Sequence, residues 1–153
     1  MGSSRLGPGE VARSIRQTHW ELKRRLSEFD TALDALVCNS EVYADLSSAQ
    51  QLEAATQWLS DSLPAHFFRE EAAVFTRLAA LSSEADVFVR EMKQQHREIG
   101  ARLRTFRTEL YQLQQSEDLE QSIEALKEAG EGFTSFMIAH MAAEERQFAA
   151  ARP

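Results

Sequence analysis

Two short stretches hold the residues that could do chemistry: His66-Phe67-Phe68-Arg69-Glu70-Glu71 and His140-Met141-Ala142-Ala143-Glu144-Glu145. In each, a histidine is followed four residues later by a glutamate. Residues four apart lie on one face of an α-helix, so each stretch sets an imidazole beside a carboxylate. His19 and His96 complete the chain's 4 histidines. Imidazoles and carboxylates without thiolates suit borderline transition metals. The candidate ligands are His19, His66, Glu70, His96, His140 and Glu144. Six side chains exceed what one tetrahedral zinc takes and suit two ions that share carboxylates, a known use of helical-bundle cores.

Elements able to bring six such residues together must come from a chain of 153 residues, which suggests one domain. Gly 6 and Pro 3 are few, and Ala, Leu, Glu, Gln and Arg dominate, a helix former's composition. The formal net charge is -7 with no basic stripe, which argues against nucleic acid as a partner. No run of 18 apolar residues offers a membrane span. The N-terminus lacks the apolar stretch of a signal peptide, and Leu6 stands where a myristoylation signal needs Ser or Thr. A single cysteine, Cys38, excludes an internal disulfide. These features together lead us to expect a cytoplasmic protein, with residues 1–9 as a flexible arm and 10–153 as the folded domain.

Four amphipathic helices are readable. The first, from about Glu10 to Val37, carries the stripe Val11, Ile15, His19, Leu22, Leu26, Phe29, Leu33, Leu36, in steps of three and four. A loop is expected from Cys38 to Ser47. The second helix, capped by Ser47 or Ser48, carries Leu52, Leu59, Leu63, His66, Glu70, Val74, Leu78 and Leu81, with a kink expected at Pro64. Ser82 or Ser83 caps the third, whose stripe is Val89, Met92, His96, Ile99, Leu103, Phe106, Leu110, Leu113. Ser116-Glu117-Asp118 opens the fourth, with Leu119, Ile123, Leu126, Phe133, Met137, His140, Glu144 and Phe148. Gly130 and Gly132 interrupt it, each at about 1 kcal/mol against Ala, as a close helix approach or a local irregularity. Short connections give an all-α, up-down-up-down antiparallel four-helix bundle.

Counting tests whether the histidines share a layer. With the first loop centred near residue 43, His19 lies 24 residues before it and His66 23 after. About residue 82, His66 is 16 before and His96 14 after; about residue 117, His96 is 21 before and His140 23 after. Mismatches of one or two residues are roughly 3 Å at about 1.5 Å per residue. One buried histidine with a partner is ordinary. Four at one level beside two mutually repelling carboxylates are costly without a cation.

The quoted residues resemble the hemerythrin-like, or HHE cation-binding, domains. The resemblance runs over the chain after residue 10: the lone His19, HFFREEAAVF, QQHREI and HMAAEERQF. It implies two non-haem irons in an oxo- or hydroxo-bridged di-iron centre, with His19, His66, His96 and His140 as terminal ligands and Glu70 and Glu144 as bridges. Glu71 and Glu145 are the nearest rivals. They rank lower because a five-residue step turns further round the helix, although the oxygen carriers of that family use such a spacing in their fourth helix. Those carriers also have a second histidine four residues after the first on the third helix. That position here is Gly100, which leaves room beside one iron.

The resemblance implies binding of a small diatomic or peroxide (O2, NO, H2O2) for sensing, scavenging or storage. A di-iron enzyme acting in peroxide disproportionation, NO reduction or O2-dependent oxidation is the alternative, followed by a metal-free helical interaction module. Trp20 and Trp58 are expected to wall the core, and Met92, Met137 and Met141 to fill gaps near the histidines. Tyr43 and Tyr111 are expected far from the layer, and Arg69 and Arg146 on outward faces.

Overall fold

A computed structural model describes residues 8–38 and 46–150; the expected arm through residue 7, the loop at 39–45 and Tyr43 lie outside the described residues. The described residues form helices and tight turns, with no strand among them. Helix α1 spans Pro8–Cys38, α2 spans Leu46–Arg69, α3 spans Thr76–Ala79, α4 spans Ser83–Gln115 and α5 spans Leu119–Ala150. A π-helical segment, Glu70–Phe75, joins α2 to α3 with right-handed helical dihedrals at both junctions, so Leu46–Ala79 runs as one rod.

Several boundaries differ from expectation. Helix α1 begins at Pro8, a residue whose fixed φ and missing donor suit a first turn. Helix α2 begins at Leu46, so Ser47 and Ser48 lie inside its first turn rather than ahead of it. It continues through Pro64, and a π-helical segment follows six residues later. Ser82 does cap α4, its Oγ accepting from the Ala85 N–H at 3.0 Å. Before α5 it is Asp118 that accepts from the Gln121 N–H, at 3.2 Å.

The α4 stripe is buried at every position from Val89 to Leu113, and α1 buries Ile15, His19, Leu22, Leu26, Phe29 and Leu33. Helix α1 packs on α2 and α5, and α4 on α2, α3 and α5, pairings consistent with an antiparallel bundle. One large core gathers Leu22, Leu26, Phe29, Leu59, Phe67, Ile99, Phe106, Phe133, Met137 and Met141. A second, smaller core gathers Phe75, Leu78, Ala85, Val89 and Met92. Fully burying such a side chain contributes about 1.5–3 kcal/mol. Along α4, His96 falls between Met92 of the small core and Ile99 of the large one; along the second rod, Glu70 falls between Phe67 and Phe75. The polar layer is clamped between two apolar cores.

Two expectations fail at the surface. Leu81 ends its stripe in the turn after α3 and is 67% exposed, and Trp20 is 61% exposed on the outer face of α1. Trp58 does pack against the large core, with the Arg25 guanidinium 4.8 Å above its ring. Gly130 marks a close approach: a Cβ there would lie 2.5 Å from Leu33 Cδ2 and 3.1 Å from Phe106 Cε2. Gly132 has no such neighbour, meeting only the Arg102 guanidinium at 3.4 Å.

Candidate metal centre

Each rod delivers its share of the layer through helical spacing. His66 and Glu70 sit one turn apart at the α2–π junction, His140 and Glu144 one turn apart on α5, and His19 and His96 come singly from α1 and α4. All six are buried, none more than 5% exposed. The four imidazoles turn Nε2 towards the two carboxylates. Glu70 Oε1 lies 3.1 Å from His19 Nε2 and 2.8 Å from His66 Nε2, while its Oε2 lies 3.2 Å from His96 Nε2. Glu144 Oε1 lies 3.1 Å from His140 Nε2 and 3.5 Å from His96 Nε2, and its Oε2 lies 3.3 Å from His19 Nε2.

Each carboxylate therefore splits its two oxygens between the same two histidine pairs. His19 and His66 form one pair, with ring centroids 5.4 Å apart; His96 and His140 form the other, at 4.8 Å. Ligand atoms of Glu70, His96, His140 and Glu144 all lie within 4.8 Å of one another, as do those of His19, His66 and Glu70. Glu70 belongs to both groups.

The donor set tests whether a cation fits. Eight atoms face inwards: four Nε2 and four carboxylate oxygens. Only His19 Nε2 and Glu70 Oε1 form an aligned hydrogen bond, with each other at 3.1 Å. The remaining six are buried without an aligned partner despite lying close together. An unsatisfied buried polar atom costs about 1–3 kcal/mol, more when charged. Convergent lone pairs that meet one another at short range but poor angles suit ions placed among them.

Electrostatics point the same way. Burial alone would lower the His19 pKa, but Glu144 and Glu70 outweigh it and raise the group from 6.5 to about 9. His96 behaves likewise: burial lowers it, Glu144, Glu70 and Glu71 raise it, and it reaches about 9. Burial would raise Glu70, but His19, His66 and His96 hold it far below the usual carboxylate range. Glu144 is held at about 2 by His140, His19 and His96 against its own burial. Two buried carboxylates kept ionised this way demand positive charge, which protons or metal ions can supply.

Beyond the six, Glu71 and Glu145 turn away from the shared centre. Glu71 Oε1 meets His96 Nδ1 at 2.8 Å, and Glu145 Oε1 meets His19 Nδ1 at 3.1 Å and Lys23 Nζ at 2.8 Å. Gln95 Oε1 meets His140 Nδ1 at 2.9 Å. Phe67 lies nearly parallel to His96, with centroids 4.0 Å apart, and Phe75 lies 5.4 Å away at a similar tilt. These contacts were not read from the sequence. Position gave a hint for Glu71 and Glu145, each next to a ligand candidate, but none for Gln95, whose partner is on another helix. Met92, Met137 and Met141 are buried as expected, Arg69 and Arg146 are exposed, and Tyr111 is exposed far along α4. At Gly100 on α4, a Cβ would meet only Arg104 Nη1, at 3.4 Å.

No helix among the described residues is long and apolar enough to cross a membrane. No curated protein and no solved structure matches the chain. The model of the hemerythrin HHE cation binding domain matches residues 11–151. With that match over nearly its whole length, the chain belongs to the hemerythrin HHE cation-binding domain family.

Proposed function

We propose that this domain is a non-haem di-iron protein that binds a small diatomic or peroxide (O2, NO or H2O2) for sensing, scavenging or storage. The observation that carries it is the split of both glutamates between two histidine pairs. His19 and His66 would hold one iron, His96 and His140 the other, and Glu70 and Glu144 would bridge them. The four imidazole nitrogens and the two carboxylates would together hold the pair, and such a centre would supply sites for a small ligand. Iron is favoured over zinc because four protein donors would already complete a tetrahedral zinc, whereas bundle cores with shared glutamates hold iron pairs.

The remaining residues shape what can enter. Phe67 and Phe75 flank His96 with apolar surface, and Met137 and Met141 add more from α5. A histidine-rich donor set carries less negative charge than a carboxylate-rich one, which favours ligand binding over hard oxidation. The antiparallel up-down-up-down arrangement and a cytoplasmic setting, in keeping with the free thiol of Cys38, belong to the same proposal.

The test is optical titration of iron-loaded protein with azide, NO, O2 and H2O2. New ligand-to-metal charge-transfer bands that saturate with ligand and vanish on its removal are the result expected. A spectrum unmoved by all four would contradict ligand binding.

A further inference from the structure

Three of the four buried histidines are gripped from behind. Glu145 on α5 takes His19 Nδ1 on α1 at 3.1 Å, Glu71 in the π segment takes His96 Nδ1 on α4 at 2.8 Å, and Gln95 on α4 takes His140 Nδ1 on α5 at 2.9 Å. In every case the partner comes from a different element than the histidine. An imidazole that offers Nε2 as a lone pair must carry its proton on Nδ1, and an acceptor at Nδ1 selects that tautomer. An ionised carboxylate can only accept, and the Gln95 contact is through its carbonyl oxygen. Glu71 and Glu145 reach their histidines from the rim of the layer, with side chains 38% and 32% exposed. Lys23 anchors Glu145 from the surface at 2.8 Å.

The π segment explains how neighbours in sequence serve two ends of one ring. Glu70 Oε2 approaches His96 Nε2 at 3.2 Å while Glu71 Oε1 takes the same ring's Nδ1. A π turn spreads its residues more finely round the axis than an α turn does, so consecutive side chains diverge less. The Thr76 hydroxyl, donating to the Glu71 carbonyl at 3.1 Å, ties the segment across five residues.

We propose that Glu71, Glu145 and Gln95 are positioning residues that lock His96, His19 and His140 with Nε2 inwards, presetting the layer for metal. This rests on the metal-centre reading above. Outer partners of this kind are worth about 10–100-fold in metal affinity.

The experiment uses the full chain, loaded anaerobically with ferrous iron and challenged with excess chelator. Glu71→Ala and Glu145→Ala are expected to lose iron about 10–100-fold faster than wild type. Glu71→Gln and Glu145→Gln, which keep an acceptor oxygen, are expected to restore most of the hold. Far-UV circular dichroism of the metal-free variants checks folding. A second readout is the Nδ1–H signal of each histidine in zinc-loaded, nitrogen-15-labelled protein. That of His96 is expected to be lost to water exchange in Glu71→Ala while that of His19 persists, with the reverse in Glu145→Ala. Ala variants that hold iron and keep their Nδ1–H signals like wild type would overturn the positioning role alone, as would Gln variants no better than Ala. Wild-type protein that takes up neither iron nor zinc would overturn the metal centre, and this role with it.

Discussion

At the scale of single residues, the two adjacent glutamates of each motif do different work. Glu144 is fully buried and faces three histidines, whereas Glu145 faces one Nδ1 and a surface lysine. Glu144→Ala is expected to abolish binding of at least one iron, while Glu145→Ala keeps the stoichiometry and only weakens the hold. Metal content after gel filtration separates the two, and equal loss from both would contradict the bridging role of Glu144.

The carboxylates facing His19 and His96 give a second residue-scale prediction, for metal-free protein. His19 and His96 sit at about 9 in the fold against 6.5 when free. A folded pKa above the unfolded one contributes stability that is full below pH 6.5 and lost as pH rises through about 9. Chemical denaturation midpoints of the metal-free protein are therefore expected to fall from pH 6 to pH 9.5. A flat profile over that window would contradict the buried ion-pair layer.

All six candidate ligands could be named from sequence because helical spacing and the rarity of histidine on an apolar seam are local signals. The partners at Nδ1 could not, since Glu145 to His19 spans 126 residues and Gln95 to His140 spans 45. Only the packed helices set those pairs. Trp20 shows the opposite limit: an aromatic beside a ligand candidate looks like core, yet the helical step from His19 turns it outwards.

At the scale of elements, the period of three and four foretold every buried position on α4 from Val89 onwards, because a regular helix transmits its phase without error. The second rod broke the rule. Its π segment at Glu70–Phe75 has no proline or glycine to mark it in the sequence. Deleting the exposed Ala73 would let that segment revert to an α turn. The expected outcome is unchanged helix content with faster iron loss, as Glu71 leaves His96. Iron held as in wild type would show that the π turn does not serve the site.

Gly130 and Gly132 offer an element-scale contrast. On propensity alone each change to Ala gains up to about 1 kcal/mol. At Gly130 the new Cβ would stand 2.5 Å from Leu33 Cδ2, so that gain is outweighed by repacking where α5 meets α1. Overpacking costs about 1–3 kcal/mol. Thermal melts are expected to show Gly130→Ala below wild type and Gly132→Ala at or above it. The reverse order would contradict the close approach.

At the scale of the whole molecule, two apolar cores hold a polar layer of four histidines and two glutamates. The large core lies on one side of the layer and the cluster of Phe75, Leu78, Val89 and Met92 on the other. The layer was legible by counting because four rods with short turns must return to the same height. Which metal would suit it was not, since histidine and glutamate serve several ions. A ligand that binds only the fold stabilises it by about 2.7 kcal/mol at a hundred times its dissociation constant, so iron loading is expected to raise the melting temperature.

The most direct measurement is the iron content per chain of protein purified without added metal, by mass spectrometry, with anaerobic reconstitution alongside. Two irons per chain is the result expected. A chain that carries no metal and also refuses iron on reconstitution would contradict the di-iron centre.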